Sequence, residues 1–562
     1  MAQESTICTK SLYVNPERRI LVMNLNEQYF TGVNELVDSD EFKELVTLYL
    51  KTDNLFNTYE DYRNLTADQF IKMTKRILAH DETVFANLDR QILLSCYEDA
   101  YTYFRNFLRV TVTDGMNKVL VNSFLDIDDR LNDLFRTCYR TLTDEVRGRR
   151  VNRYRQISSA SNAALLTKHH QWPIPAGYEA LDKINFIDMA MVRPPLMMHT
   201  PSNKREGVFS PVTENPVKKF ARQKGEWYCY PAKIGTSIAY IYFHEDFMVS
   251  GLSLTNLFAM AHDYEVEGRK PDLILFFGLD KTEGDVSHYF YDEANDIWVG
   301  EVPNTVKTTY FGYMKKMCLT LHNLHQIKQG KLPIHGSMVR IAFANGKTKN
   351  VVFFGDSGAG KSESLEALQE ISDEQIVDME TIFDDMGSFT IDGDKVYAQG
   401  TETGAFVRLD DLSSAVAFNN MDRGIYLNPE LKNARVIIPV TSIENVIAHH
   451  HVDMWVYANN YDAEVGIHQF ENETAAKEVF VAGKRKALGT TDESGMTTTF
   501  FANPFGPVQE PELTQPIIDD VFKKFFDAGI YVGEIYTHLG YDRSAEALHD
   551  SARAMLKVLM EL

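Results

Sequence analysis

The chain has 562 residues, enough for two or three domains with a full core. Its 79 acidic against 57 basic residues leave a net charge of −22, which argues against a nucleic-acid scaffold, because phosphate contacts need clustered cations. Cys8, Cys96, Cys138, Cys229 and Cys318 are scattered without paired spacing and no apolar run is long enough to span a bilayer, so the sequence reads as a soluble cytoplasmic protein with no membrane contact.

Residues from about 35 to 157 read as helical. "DSDEFKELVTLYL" opens with a capping-box arrangement, Asp38 and Glu41, and puts Phe42, Leu45, Val46 and Tyr49 on one face. "TADQFIKMTKRIL" repeats the pattern with Thr66 and Gln69, and Leu131, Leu134, Phe135, Cys138 and Leu142 form a further core stripe. "RGRRVNRYR", with Arg147, Arg149, Arg150, Arg153 and Arg155, reads as a solvated helix end. The small, polar "SSASNAA" at 158–164 suggests a domain boundary. Beyond it come β-prone runs: "TSIAYIYF", "PDLILFFG", "NVVFFG", "RVIIPV", "VDMWVYA" and "TTTFFANPF". Asp392–Gly393 gives a hairpin signal, and the last fifty residues turn helical again.

"VVFFGDSGAGKSESLEAL", residues 351–368, is the most informative stretch. Gly355, Gly360, Lys361 and Ser362 satisfy G-x-x-x-x-G-K-[ST] between a β-prone run and an amphipathic helix. The backbone of Gly355, Asp356, Ser357, Gly358, Ala359 and Gly360 would cradle a nucleotide's phosphates. Lys361 would reach the outer phosphates, and the Ser362 hydroxyl a magnesium ion. Asp384 and Asp385 follow at an expected strand end, where carboxylates hold hard cations. Lys315, Lys316 and His335 lie upstream, and Arg435 heads a strand. The triplet His449–His451 alternates faces on a strand, which argues against a shared metal site.

In order, "TTYFGYMKK", "LPIHGSM", "FFGDSGAGKS", "DDMGSF" and "ARVIIPVTSIENV" resemble the motifs of the phosphoenolpyruvate carboxykinases over roughly residues 270–562. "TTTFFANPFGP" and "GIYVGEIYTHLG" are similar to that family's C-terminal segments. The resemblance implies a P-loop-containing α/β carboxykinase-type core with a mixed sheet. The domains would be an additional helical one at 1–160, an N-terminal lobe at 161–325 and a nucleotide-binding lobe at 326–562. It further implies manganese held by Lys316, His335 and Asp385, and ATP or GTP with magnesium at Lys361 and Ser362, with Asp384 beside them. Arg435 and Tyr310 would face substrate and the transferred phosphoryl group. The implied reaction is decarboxylation of oxaloacetate with phosphoryl transfer, giving phosphoenolpyruvate.

The sequence departs from the family at Tyr313, which stands for a glutamate, and in lacking the R-S-P-K-D-K-F segment whose arginine holds a substrate carboxylate. Arg193, Lys204 and Arg205 are the cations that could replace it. The loop and its "HGSMV" strand also resemble HPr kinase/phosphorylase, which implies a kinase acting on a protein serine or a small hydroxy acid, with an aspartate as base. A third reading is a non-catalytic nucleotide-binding module, with the helical region at 1–160 contacting a protein partner or a second copy.

Overall fold

Runs of β-branched and aromatic residues make the second half of the chain strand-rich. The computed structural model shows a mixed α/β fold and describes residues 12–25, 30–114, 121–148, 161–280, 286–356, 358–371, 375–409, 421–488, 494–541 and 545–562. Among these residues no helix is long and apolar enough to cross a membrane. The described cysteines Cys96, Cys138, Cys229 and Cys318 are free and buried.

The N-terminal helices form much as their stripes predict. Thr66 and Gln69 make a reciprocal capping box on Ala67–Leu78. Val46, Tyr49, Phe70, Ile77, Cys138 and Leu142 share one core. One cap differs: Ser39, not Asp38, caps Asp40–Leu50, its hydroxyl accepting from the Phe42 amide. Of the arginine run, Arg149, Arg150, Arg153 and Arg155 lie outside the described residues.

Residues 1–160 are not wholly helical, which corrects the sequence reading. Leu12–Asn15, Ile20–Asn24 and Leu108–Asp114 are strands at one end of a twelve-stranded sheet. Leu108–Asp114 pairs in parallel with Ala163–Lys168, so the sheet runs across the expected boundary at 160. The segment "LRVTVTD" alternates with a period of two, a short signal between two long helical ones.

A second sheet of eight strands positions the glycine-rich loop. Its central strand, Leu332–Phe343, is antiparallel both to the loop strand Thr348–Phe354 and to the long strand Ile376–Asp392. Gly336 therefore lies opposite Phe354 on one side and Asp385 on the other. A Cβ at Gly336 would come within 2.4 Å of the Phe353 carbonyl, so only glycine permits this approach. Behind the loop strand, fully buried Trp455 packs against Phe354, Phe389, Phe480 and Phe522 at ring separations of 4.5–5.7 Å. Each such pair contributes about 0.5–1.5 kcal/mol beyond its burial and stiffens the base of the loop.

The expected hairpin is present: Asp392 pairs with Lys395 around Gly393, which takes φ 60°. A four-stranded sheet carries Arg435 on Arg435–Pro439. The expected strand at "TTTFFANPF" ends at Thr498 and gives way to a tight turn, Phe500–Ala502. Phe501 and Ala502 have φ 51° and 43° there, and the turn delivers the Ala502 carbonyl to the site described next.

Candidate active site at the glycine-rich loop

The strand Thr348–Phe354 ends in the loop, and the helix Lys361–Ile371 begins directly after it. Gly360 has φ 105°, and a Cβ there would lie 2.7 Å from Thr537, so both conformation and space demand glycine. Lys361 folds back on the loop, donating to the carbonyls of Gly355 at 2.7 Å and Asp356 at 3.3 Å. Ser362 is exposed at the helix start, where backbone N–H groups and the helix dipole favour an anion. Ser357 lies outside the described residues. Asp356 is anchored from the far side by Arg485, whose Nε donates to it at 3.1 Å.

Sheet register brings the other motifs together. Asp385 Oδ2 receives Lys315 at 2.6 Å and Lys316 at 2.8 Å, and Oδ1 lies 3.0 Å from His335 Nε2. The two lysines come from the N-terminal end of the helix Gly312–Lys328, His335 from the central strand and Asp385 from its neighbour. The acidic pair does not sit at a strand end, as the sequence reading had it, but within Ile376–Asp392. Successive residues on a regular strand face opposite ways. At Asp385 a φ of 87° breaks that alternation, and both carboxylates interact with Lys315.

His335 is oriented by its other nitrogen. Nδ1 donates to the Ala502 carbonyl at 3.0 Å, which leaves the Nε2 lone pair aimed at the carboxylate of Asp385. Such a contact is favourable only with a proton or a cation between the two. Lys316 Nζ, His335 Nε2 and Asp385 thus form a one-amine, one-imidazole, one-carboxylate donor set that fits a transition metal. Burial, with Lys315 beside it, pushes the Lys316 amine below its ordinary pKa, toward the neutral form a ligand requires. Burial also lowers His335, and the Lys361 charge adds to this. Among the described residues no cluster of three or more His, Cys, Asp and Glu side chains could hold a metal, so the lysine is essential to this set.

The remaining ionisations follow from the same crowding. Burial raises Asp384, reinforced by the neighbouring Asp385. Burial opposes the charge of Asp385, but Lys315, Lys316 and His335 outweigh it and hold the carboxyl well below its usual range. Lys361 is lowered by burial against the pull of Asp385, Asp356 and Asp384. Lys315 lies 3.1 Å from Glu402, a fully buried carboxyl that burial pushes up to about 7.

Two further groups complete the walls. Tyr310, Lys315 and Arg435 surround Phe406, at 6.0, 5.6 and 5.4 Å from its ring centre. The buried Nε of Arg435 has no hydrogen-bond partner. On the other side Arg205 stacks between Phe209 and Phe505, and Lys316 lies 4.6 Å over the same Phe505 ring. Burial lowers Arg205, with Tyr313 and Tyr310 as its charged-state neighbours, and no carboxylate of the described residues pairs with it. Tyr313 holds this segment, accepting from the Glu206 amide at 3.1 Å.

The structure therefore brings Lys316, His335, Lys361, Asp384 and Asp385 into one cluster, flanked by Tyr310 and Arg435. Of the three stand-in cations, Arg193 is committed elsewhere, to buried Asp128 and to Ser161. Lys204 is exposed and pairs with Glu206 at 3.1 Å. Arg205 alone faces the cluster. Glu402 and Arg485 carried no motif in the sequence; only the paired strands and the buried lysine make them visible. No protein-family model matches the chain, and no curated protein matches it.

Proposed function

We propose that the protein is a carboxykinase-type enzyme that transfers a phosphoryl group from a nucleoside triphosphate, coupled to decarboxylation of oxaloacetate to phosphoenolpyruvate. The observation that carries this reading is the convergence of Lys316, His335 and Asp385 beside Lys361. A kinase needing only nucleotide and magnesium has no use for an amine–imidazole–carboxylate set next to its phosphate loop.

In this reading the loop amides and Lys361 bind the triphosphate, with magnesium at Ser362. Manganese at Lys316, His335 and Asp385 would supply the positive charge that stabilises an enolate oxygen as carbon dioxide departs. Lys361 turns from the carbonyls of Gly355 and Asp356 to the outer phosphates. Arg435, with its unpaired Nε, neutralises charge on the phosphoryl group in flight. Arg205 binds the substrate carboxylate remote from the phosphoryl group, since a dicarboxylate leaving water needs a cation or N–H donor at each end. Tyr310 closes the wall between Phe406 and Arg205.

One observation favours the kinase alternative. The Asp384 carboxyl, though within the field of Lys315 and Lys361, has no side-chain hydrogen bond to the described residues, and its raised pKa suits a base toward a hydroxyl. Incubation with oxaloacetate, ATP or GTP, manganese and magnesium separates the two. Phosphoenolpyruvate and nucleoside diphosphate in equal amounts support the carboxykinase reading. Triphosphate turnover only with a hydroxyl acceptor, and no decarboxylation, supports the kinase.

A further inference from the structure

The first sheet forks at a place remote from the loop. Trp227–Ile234 pairs with Phe186–Val192 at a single register point, Phe186 with Cys229, and then takes Ala259–Met260 as its neighbour instead. Between the diverging strands lies a cleft of about 580 Å³, within the range of small-molecule sites. Its floor is apolar, with Ile187, Met189, Met260 and Val266 among its lining residues.

The polar groups of the cleft are unevenly matched. A register shift against Ala163–Lys168 pairs Ile187 and Met189 but skips Asp188, a bulge that turns the carboxylate out of the ladder. Lys168 bridges the mouth, 2.8 Å from Asp188 and also bonded to Asp263. One ammonium thus faces two carboxylates, whereas the neighbouring Glu265 is matched by Lys233 at 2.5 Å, and Glu444 also feels Lys233 and His262. Deeper in the wall, His170 is 8% exposed and its Nε2 has no hydrogen-bond partner. An unmet buried polar atom costs about 1–3 kcal/mol, which a ligand can recover. At the rim Tyr264, 78% exposed, stacks on His262 at 5.4 Å and offers its outer face. A π-face attracts cations.

We propose that this cleft is a second ligand site, specific for an organic cation: an ammonium or amidinium group carried on a compact apolar body. The excess carboxylate at Asp188 and Asp263 receives the charge, His170 Nε2 accepts a further N–H, and the apolar floor holds the body. Anions are disfavoured by the same two carboxylates. The assignment is independent of the chemistry at the glycine-rich loop.

Benzamidine, its neutral isostere benzamide and the anion benzoate form the test set, titrated into the full chain by calorimetry or ligand-observed NMR at low salt. Benzamidine should bind in roughly the millimolar range expected of so small a ligand, and the other two should not. Asp188→Asn should weaken benzamidine about tenfold, as loss of a charge-assisted contact does. Lys168→Met, which frees both carboxylates, should tighten it. Met260→Trp, which fills the cleft, should abolish it. Circular dichroism and unfolding curves confirm that each variant is folded. Benzoate binding as well as benzamidine, no benzamidine binding up to millimolar concentration, or affinities unmoved in Asp188→Asn and Lys168→Met would each overturn the proposal.

Discussion

Lys316 places its ammonium 2.8 Å from Asp385 Oδ2, and Lys315 lies 2.6 Å from the same oxygen. One carboxylate therefore compensates two lysines, of which Lys315 is 1% exposed. Asp385→Asn leaves both ammonium groups without that partner; Lys315 keeps Glu402 at 3.1 Å and the charge of Asp384, and Lys316 loses its ion pair. Breaking a buried pair from one side costs about 3–5 kcal/mol. The expected outcome is loss of turnover together with a fall in unfolding free energy of that order, read as a lower urea midpoint at unchanged m-value. A variant as stable as the parent would show that the lysines are not held by this carboxylate.

Lys361→Ala acts differently, because among the described residues Lys361 donates to two carbonyls of its own loop and to no side chain. Stability should change little. Triphosphate affinity should fall by about 1.5–3 kcal/mol, the value of a charge-assisted hydrogen bond. Calorimetric titration of ATP and GTP into parent and variant measures this, and equal affinities would make the loop a structural turn.

The loop was legible because its glycines, lysine and flanking elements are contiguous, and their roles can be read from backbone requirements alone. His335 and Asp385 are fifty residues apart in sequence and become neighbours only through the antiparallel register of Leu332–Phe343 with Ile376–Asp392. The sequence places Asp384 and Asp385 at a strand end, where carboxylates commonly hold hard cations; the strand instead runs on through the pair, and the positive φ at Asp385, of which sequence gives no sign, lets both carboxylates reach Lys315. The helical N-terminal stripes were readable, but the strand "LRVTVTD" was not: its seven residues are outweighed by longer 3.6-residue periodicity on both sides. Arg205 was one of three equal cations until packing separated them.

Glu402 gives the protein a pH dependence of defined sign. Its carboxyl is pushed from an ordinary 4.5 to about 7 by burial, so the folded state binds a proton that the unfolded chain has released. Stability from this group is full below about 4.5 and is lost as pH rises toward about 7. Asp385 has the opposite sign: held below its ordinary 3.8, it stabilises above that value and loses its contribution only in stronger acid. Denaturant unfolding between pH 5 and 8 should show a decline that Glu402→Gln flattens. A decline of the same size in the variant would assign it to another group.

Arg205 and Arg193 provide a paired test of the proposed substrate carboxylate site. Arg205 is held by stacking on Phe209 and Phe505 and by one bond to the Gly207 carbonyl, so Arg205→Ala loses aromatic contact but leaves no buried charge unpaired. Its effect should fall on substrate binding: a strongly raised KM for oxaloacetate, a smaller change in kcat and nearly parental stability. Arg205→Lys keeps the charge but loses the planar fork and the stacking, and should recover only part of the affinity. Arg193 instead neutralises Asp128, which is 0% exposed. Arg193→Ala should therefore lower stability, by about 3–5 kcal/mol at most, because Asp128 loses its cation but keeps hydrogen bonds from Thr111, Asn132 and Ser161, while KM stays at the parental value. Steady-state kinetics and unfolding curves on both variants decide the matter. A KM effect at Arg193 with none at Arg205 would remove the carboxylate assignment, and with it the strongest support for a dicarboxylate substrate.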